Sequence, residues 1–274
     1  MFSLRYYLYK EYYMNNFIIS LKDNNEDRRK HISNQFNSKK IPFLFFDAIN
    51  KNNLDISERL NIIFNNPNLT LGEKGCFLSH IFLWKKIIDE NIDVAGIFED
   101  DIYLGKHSEN LLINYSWVNK DIDIIKIEKS NKKIKTSIRP MKKVNNIQIV
   151  RLRSRHLGTA GYIITNKGAH FLFNHISQRP ISNPIDHEIF NDLLIDNKYI
   201  VGQTMPCLCI QDFVFNKNDN NFPSALEDNR IHRITHNNTG NKNKISREIS
   251  RLKEQIIGFT LKGTIERKVY FYLK

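Results

Sequence analysis

The sequence predicts an α/β fold built around a mostly parallel central sheet, and three observations carry that reading. Between residues 17 and 215 short apolar runs alternate with stretches of helical periodicity, the pattern of a sheet with helices laid on its faces. The run 94–98, Val-Ala-Gly-Ile-Phe, carries no charge, as a strand covered on both sides does. It leads straight into Glu99, Asp100 and Asp101, and open α/β sheets form their ligand crevice at the carboxyl ends of strands.

Residues 1–13 are rich in tyrosine and form an N-terminal extension ahead of a domain spanning 14–215. Within that domain strands are expected at 17–21, 42–47, 94–98, 122–127, 161–165 and 207–211, and helices at 27–37, 70–90, 167–176 and 186–196. The helix at 70–90 is the best specified. Thr70 and Glu73 have the spacing of a capping box, and Leu78, Ile81, Phe82, Ile87 and Ile88 give it an inward face. The basic stretch 129–143 shows weak patterning and reads as a loop at the crevice rim or a mobile arm. Residues 216–243 are polar and asparagine-rich, the composition of a linker or surface loop. Beyond them Ile245, Ile249, Leu252, Ile256 and Phe259 recur at spacings of four and three, the apolar stripe of a helical tail over 244–274. Arg247, Arg251 and Lys253 lie off that stripe. Such a tail either packs back on the domain or rests on an anionic membrane surface without crossing it.

Composition narrows the partners. The 274 residues are 41% hydrophobic and 26% charged, enough apolar material for a substantial core. No run of about 18 apolar residues predicts a membrane-spanning helix, and the first residues lack the apolar core and cleavage site of a secretory signal. Three cysteines cannot all pair and fit a reduced, cytoplasmic setting. Cys207 and Cys209 read as buried thiols on one face of a strand rather than as a metal clip. A net charge of +12 and a pI near 9.5 point to acidic partners: nucleic acid, anionic lipid or phosphorylated substrates. Against a nucleic-acid binder, the charge is scattered, and zinc-finger spacing and aromatic RNA-binding signatures are absent from the sequence.

Three adjacent carboxylates repel one another, and a hard divalent cation bound through oxygen is the natural counter-charge. Clustered acids also suit a metal-dependent phosphoesterase, which would need more carboxylates and histidines than this pattern assigns.

Gly72-Glu73 with Gly75-Cys76, Ser79-His80, Trp84-Lys85-Lys86 and the terminal Glu99-Asp100-Asp101 together resemble glycosyltransferase family 25, the bacterial lipopolysaccharide and lipooligosaccharide sugar transferases. Other pieces match in order: Phe17 to Leu21 with Asp27-Arg28-Arg29, Phe46 to Ile49, Asp123 to Ile127, Gly158 to Ile164 with Lys167-Gly168-Ala169, and Pro184 to His187. The resemblance implies a GT-A-like nucleotide-sugar-binding fold, with the acidic triplet in the place of a DxD metal motif. It further implies a nucleotide-sugar donor, with UDP-galactose favoured, a lipooligosaccharide acceptor, a divalent cation (Mn2+ or Mg2+) and inversion at the anomeric carbon. Such an enzyme would work in the cytoplasm, peripheral to the inner face of the membrane.

The same resemblance assigns roles. Asp101 is the expected metal ligand, assisted by Glu99 or Asp100, with His187 as a further metal or phosphate contact. Asp186 is the expected general base and Glu188 the alternative; Asp186 would otherwise cap the helix that follows it. Ser20, Arg28, His80, Asp100, Gly158 and Thr159 are the expected contacts to the nucleotide sugar, although Arg28 could equally be a solvated helix residue and His80 a hydrogen-bonded core histidine.

Overall fold

The structure, a computed structural model, describes residues 15–23, 25–216, 221–222 and 263–273. Its first half contains β1 (Asn16–Ser20), α1 (Glu26–Ser38), β2 (Leu44–Asp47), α2 (Leu71–Asp89), β3 (Val94–Glu99), β4 (Ile102–Leu104), α3 (Glu109–Leu112) and β5 (Ile124–Lys126). Then come β6 (Glu128–Lys129), β7 (Lys133–Ser137), β8 (Lys142–Val144), β9 (Ile147–Arg151), β10 (Gly161–Thr165), α4 (Asn166–Ser177) and α5 (Ile185–Phe190). The last described elements are β11 (Val201–Met205), β12 (Cys209–Gln211), α6 (Asp212–Phe215) and β13 (Thr264–Lys268).

An eight-stranded sheet in the order β2-β1-β3-β10-β5-β11-β9-β8 forms the centre. The inner strands β1, β3, β5 and β10 are buried at nearly every position because both faces are covered. Phe17, Ile19, Ile97, Tyr162 and Ile164 point to one face, where α2 and α4 close a core around Trp84 and Leu172. Ile18, Phe98, Ile125 and Ile163 point to the other, against Ile32 and Phe36 of α1. Period-two alternation in the strands thus feeds two separate cores. The expected capping box starts α2: the Glu73 N–H donates to Thr70 Oγ1 at 3.1 Å and the Thr70 N–H to Glu73 Oε2 at 2.9 Å.

The sheet is mixed rather than mostly parallel. β1 is parallel to β2 and β3, and β5 to β11, but β10 runs antiparallel to both β3 and β5, and β9 antiparallel to β11 and β8. The chain enters β10 from the crevice end, so Gly161 pairs with Phe98 and Thr165 with Val94. A fully buried strand has the same apolar pattern in either direction, so periodicity does not encode this.

Three further expectations are corrected. The basic stretch 129–143 is not a loop: β7 alternates exposed Lys133 and Lys135 with buried Ile134 and Thr136, the half-buried strand pattern. The expected helix 186–196 is broken, because Asn191 leaves helical geometry (φ −141°, ψ −67°) and a short 3-10 turn follows at Asp192–Ile195. Cys207 and Cys209 are both buried and free, but they belong to opposite cores.

Of the tail, residues 223–262, with the Ile245 to Phe259 stripe, lie outside the described residues, as do residues 1–14. The described part is a strand: β13 pairs antiparallel with β7, and Val269 just after it is 2% exposed. No helix among the described residues is long and apolar enough to cross a membrane.

Candidate active site

Parallel strands β1 and β3 end side by side, with Ile19 in register with Glu99. In open α/β sheets this is the end at which the ligand crevice forms. After β1 the chain turns into α1, which returns Asn25 and Arg28 to that crevice. The Asn25 side-chain amide bridges Ser20 Oγ (2.8 Å) and Asp100 Oδ2 (2.5 Å). Arg28 Nη1 lies 2.6 Å from Asp100 Oδ1 and 3.7 Å from Asp101 Oδ2. Its Nη2 donates to the Phe222 carbonyl at 2.9 Å. The positive charge that three adjacent acids call for thus comes in part from the protein itself.

The three carboxylates have different surroundings. Asp100 is engaged on one oxygen by Arg28 and on the other by Asn25. Glu99 accepts from Thr159 Oγ1 at 2.8 Å and from Gln211 Nε2 at 2.9 Å. The same Gln211 nitrogen reaches Asp101 Oδ1 at 3.3 Å, so one amide joins the first and third acids. Asp101 is 5% exposed. Burial pushes its carboxyl up to about 6; the Arg28 guanidinium and Gln211 pull it down, and the charge of Asp100 pushes it up.

Opposite the triplet, the turn at residues 158–160 ties several expected residues together. Gly158 has φ +97°, and a Cβ there would sit 2.5 Å from Glu128 Oε1, so only glycine fits. The Gly158 N–H donates to Asp186 Oδ2 at 3.1 Å, while Thr159 binds Glu99. Asp186 is therefore linked to Glu99 through two consecutive residues. Its other oxygen accepts from the His187 N–H at 3.0 Å. The helix N-cap is Pro184, so Asp186 is not the cap.

Beneath this turn lies a buried ion pair that sequence reasoning missed. Lys126 Nζ and Glu128 Oε2 are 2.8 Å apart, both side chains 0% exposed. Lys126 also donates to the Gly158 carbonyl, and Glu128 accepts from the Ala160 N–H at 3.1 Å. Gln211 and Asp212 were missed too, although polar residues ending an expected strand are the same signal that marked the triplet. Asp212 donates its N–H to the Asp101 carbonyl at 2.9 Å.

His80 is fully buried. Its Nδ1 lies 2.8 Å from the Tyr162 hydroxyl, and that hydroxyl accepts from Trp84 Nε1 at 2.9 Å. Burial holds its pKa down to about 3, so the ring is neutral. Nε2 stands 4.0 Å from Glu99 Oε1. His80 is thus a hydrogen-bonded buried histidine whose second ring nitrogen stands beside Glu99.

Two expected residues are not brought in. Glu188 is 1% exposed and paired with Arg179; burial raises its pKa despite that partner. Among the described residues its side chain makes no hydrogen bond to the triplet or to the 158–160 turn. Half-buried His187 does not converge with Glu99 and Asp101 into a three-residue ligand group among the described residues. On a helix as short as α5, consecutive side chains point in different directions, so Asp186 facing the turn carries its neighbours elsewhere.

With this geometry in place, comparison with known proteins becomes specific. The profile of glycosyltransferase family 25, described as a lipopolysaccharide biosynthesis protein family, matches residues 14–189. This chain belongs to glycosyltransferase family 25. It is 35% identical to the lipooligosaccharide biosynthesis protein lex-1 of Haemophilus influenzae over 278 residues, covering 88% of this chain and 90% of that protein. It is 32% identical to the lacto-N-neotetraose biosynthesis glycosyltransferase LgtB of Neisseria meningitidis serogroup B, over 80% of this chain and 84% of the relative. Among solved structures, a glycosyltransferase involved in glycosylation of the major capsid of PBCV-1 aligns with a TM-score of 0.40 at 8% identity, covering 80% of this chain and 98% of that one. The matched family 25 segment contains every residue of the crevice described above except Gln211, Asp212 and Phe222.

Proposed function

We propose that this family 25 glycosyltransferase moves a hexose from a nucleotide-diphosphate sugar, UDP-galactose foremost, to a lipooligosaccharide acceptor with inversion at the anomeric carbon. The observation that carries the reading is the convergence, at the ends of β1 and β3, of Glu99, Asp101 and Arg28 with the Gly158–Asp186 hydrogen bond. An anionic leaving group and a base for the acceptor need such an arrangement.

The donor set fits a hard divalent cation, manganese or magnesium. Glu99 and Asp101 each place an oxygen on the same Gln211 amide nitrogen, and Asp101 is a buried carboxylate whose charge is poorly compensated. When bound between these two residues, the cation supplies Lewis-acid neutralisation of the departing diphosphate. Asp100 is committed to Arg28 and Asn25 and so orients the guanidinium toward phosphate. Thr159 and Ser20 hold Glu99 and Asn25 in place. Asp186 accepts the proton of the acceptor hydroxyl as its oxygen bonds to the anomeric carbon; the bond from that carbon to the diphosphate breaks, its electron pair leaving with UDP.

The lipid-borne acceptor supports a peripheral location on the cytoplasmic face of the membrane, with the basic, apolar-striped segment 244–262 as anchor. A nucleic-acid role and a phosphoesterase role have no comparable support from the family. The test is a donor screen by UDP release with truncated lipooligosaccharide acceptors, with and without manganese. Release that requires acceptor and ceases in chelator is expected; release indifferent to chelator overturns the cation assignment.

A further inference from the structure

We propose that Cys76, His80 and Glu99 form a second cation site, selective for a thiophilic divalent ion of the zinc class and sharing Glu99 with the oxygen-only site. Cys76 and His80 are four residues apart on α2, so their side chains leave one helix face. A ligand atom from each, and one from Glu99, all lie within 4.8 Å of one another.

A second observation singles out this cluster. His80 Nε2 is buried and has no hydrogen-bond partner among the described residues, while standing 4.0 Å from Glu99 Oε1. An unpaired ring nitrogen in a protein interior is costly, and a cation relieves that cost. The other ring nitrogen already has the outer support that ligating histidines use: Nδ1 lies 2.8 Å from the Tyr162 hydroxyl, itself held by Trp84, and in the tautomer that carries its proton on Nδ1 the Nε2 lone pair faces the cluster. Sulfur, imidazole and carboxylate together suit zinc or cobalt and not magnesium. Bond lengths of about 2.0–2.3 Å require the three atoms to draw inward by about an ångström. Cys76 is half-buried and the Glu99 side chain 23% exposed, and Glu99 Oε1 must give up or share its 2.8 Å hydrogen bond from Thr159 Oγ1 to reach the cation. Three protein ligands leave a fourth position for water. On binding, the Cys76 thiol gives its proton to solvent as the sulfur bonds to the cation.

The site stands independently of the glycosyl-transfer reading, and its test reads no activity. Full-length protein, reduced with a phosphine, is titrated with Co2+ alone. A near-ultraviolet thiolate-to-cobalt charge-transfer band saturating at one equivalent is expected, displaced by zinc and untouched by magnesium. Cys76→Ser should abolish the band, and His80→Gln should weaken cobalt binding about 10-fold or more. In the unmutated protein zinc should shield Cys76 from iodoacetamide, a readout free of any folding defect in the variants. No band, a band that persists in Cys76→Ser and so belongs to Cys207 or Cys209, or unshielded Cys76 would each overturn the proposal.

Discussion

Arg28 Nη1 lies 2.6 Å from Asp100 and 3.7 Å from Asp101, so the first helix of the fold reaches back to neutralise acids at the end of the third strand. Asp100 takes the closer contact, and Asp101 is left buried with a weaker one. Burial of Asp101, only partly offset by Arg28, makes stability depend on pH.

The Asp101 carboxyl is raised from 3.8 to about 6, with burial as the largest cause. The folded state therefore holds this proton more tightly than the unfolded chain does. Stability from this group is full below about pH 4, falls as pH rises to about 6, and stays reduced above. Asp101→Asn should thus raise metal-free stability by about 1–3 kcal/mol at pH 7 and leave it nearly unchanged at pH 4. Transfer should be lost. Denaturant unfolding at the two pH values checks the sign; equal destabilisation at both would contradict it.

The Lys126–Glu128 pair should be a larger determinant of stability. Replacing Lys126 by Met leaves Glu128 charged in the interior, and breaking a buried pair costs about 3–5 kcal/mol. Adding Glu128→Gln removes the stranded charge, so Lys126→Met/Glu128→Gln should recover part of the loss. Urea midpoints of both variants give the answer. A double variant less stable than Lys126→Met would mean the pair is not the source.

Deleting residues 263–274 should lower the melting temperature. β13 covers the edge of β7, and Val269 is 2% exposed; burial of such a side chain is worth about 1.5–3 kcal/mol. An unchanged melt would contradict the docking. Truncation after Asn243 removes the same strand, so charge reversal at Arg247, Arg251 and Lys253 is the cleaner probe of vesicle binding.

What was legible in the sequence is what local chemistry determines. The Thr70–Glu73 capping box, the apolar runs of β1, β3 and β10, and the triplet at a strand end all follow from neighbours in the chain. The β7–β13 pairing joins segments more than a hundred residues apart, and loop-closing contacts of that kind leave no local trace. Lys126 and Glu128 were invisible for a different reason. Charged residues read as surface until a partner is known. Gln211 joins Glu99 to Asp101 and Asn25 joins Ser20 to Asp100, pairings that only the folded chain brings about.

The site itself was legible in its acids and only partly in their roles. Asp186 meets Glu99 through Gly158 and Thr159, whereas Glu188, two residues on, is engaged with Arg179. Single-turnover transfer by Asp186→Asn, measured beside its affinity for UDP, tests the central claim most directly. The chemical step should slow by about 100-fold or more with UDP affinity nearly unchanged, and Glu188→Gln should retain its chemical rate. Normal turnover by Asp186→Asn, with Glu188→Gln inactive, would contradict the account.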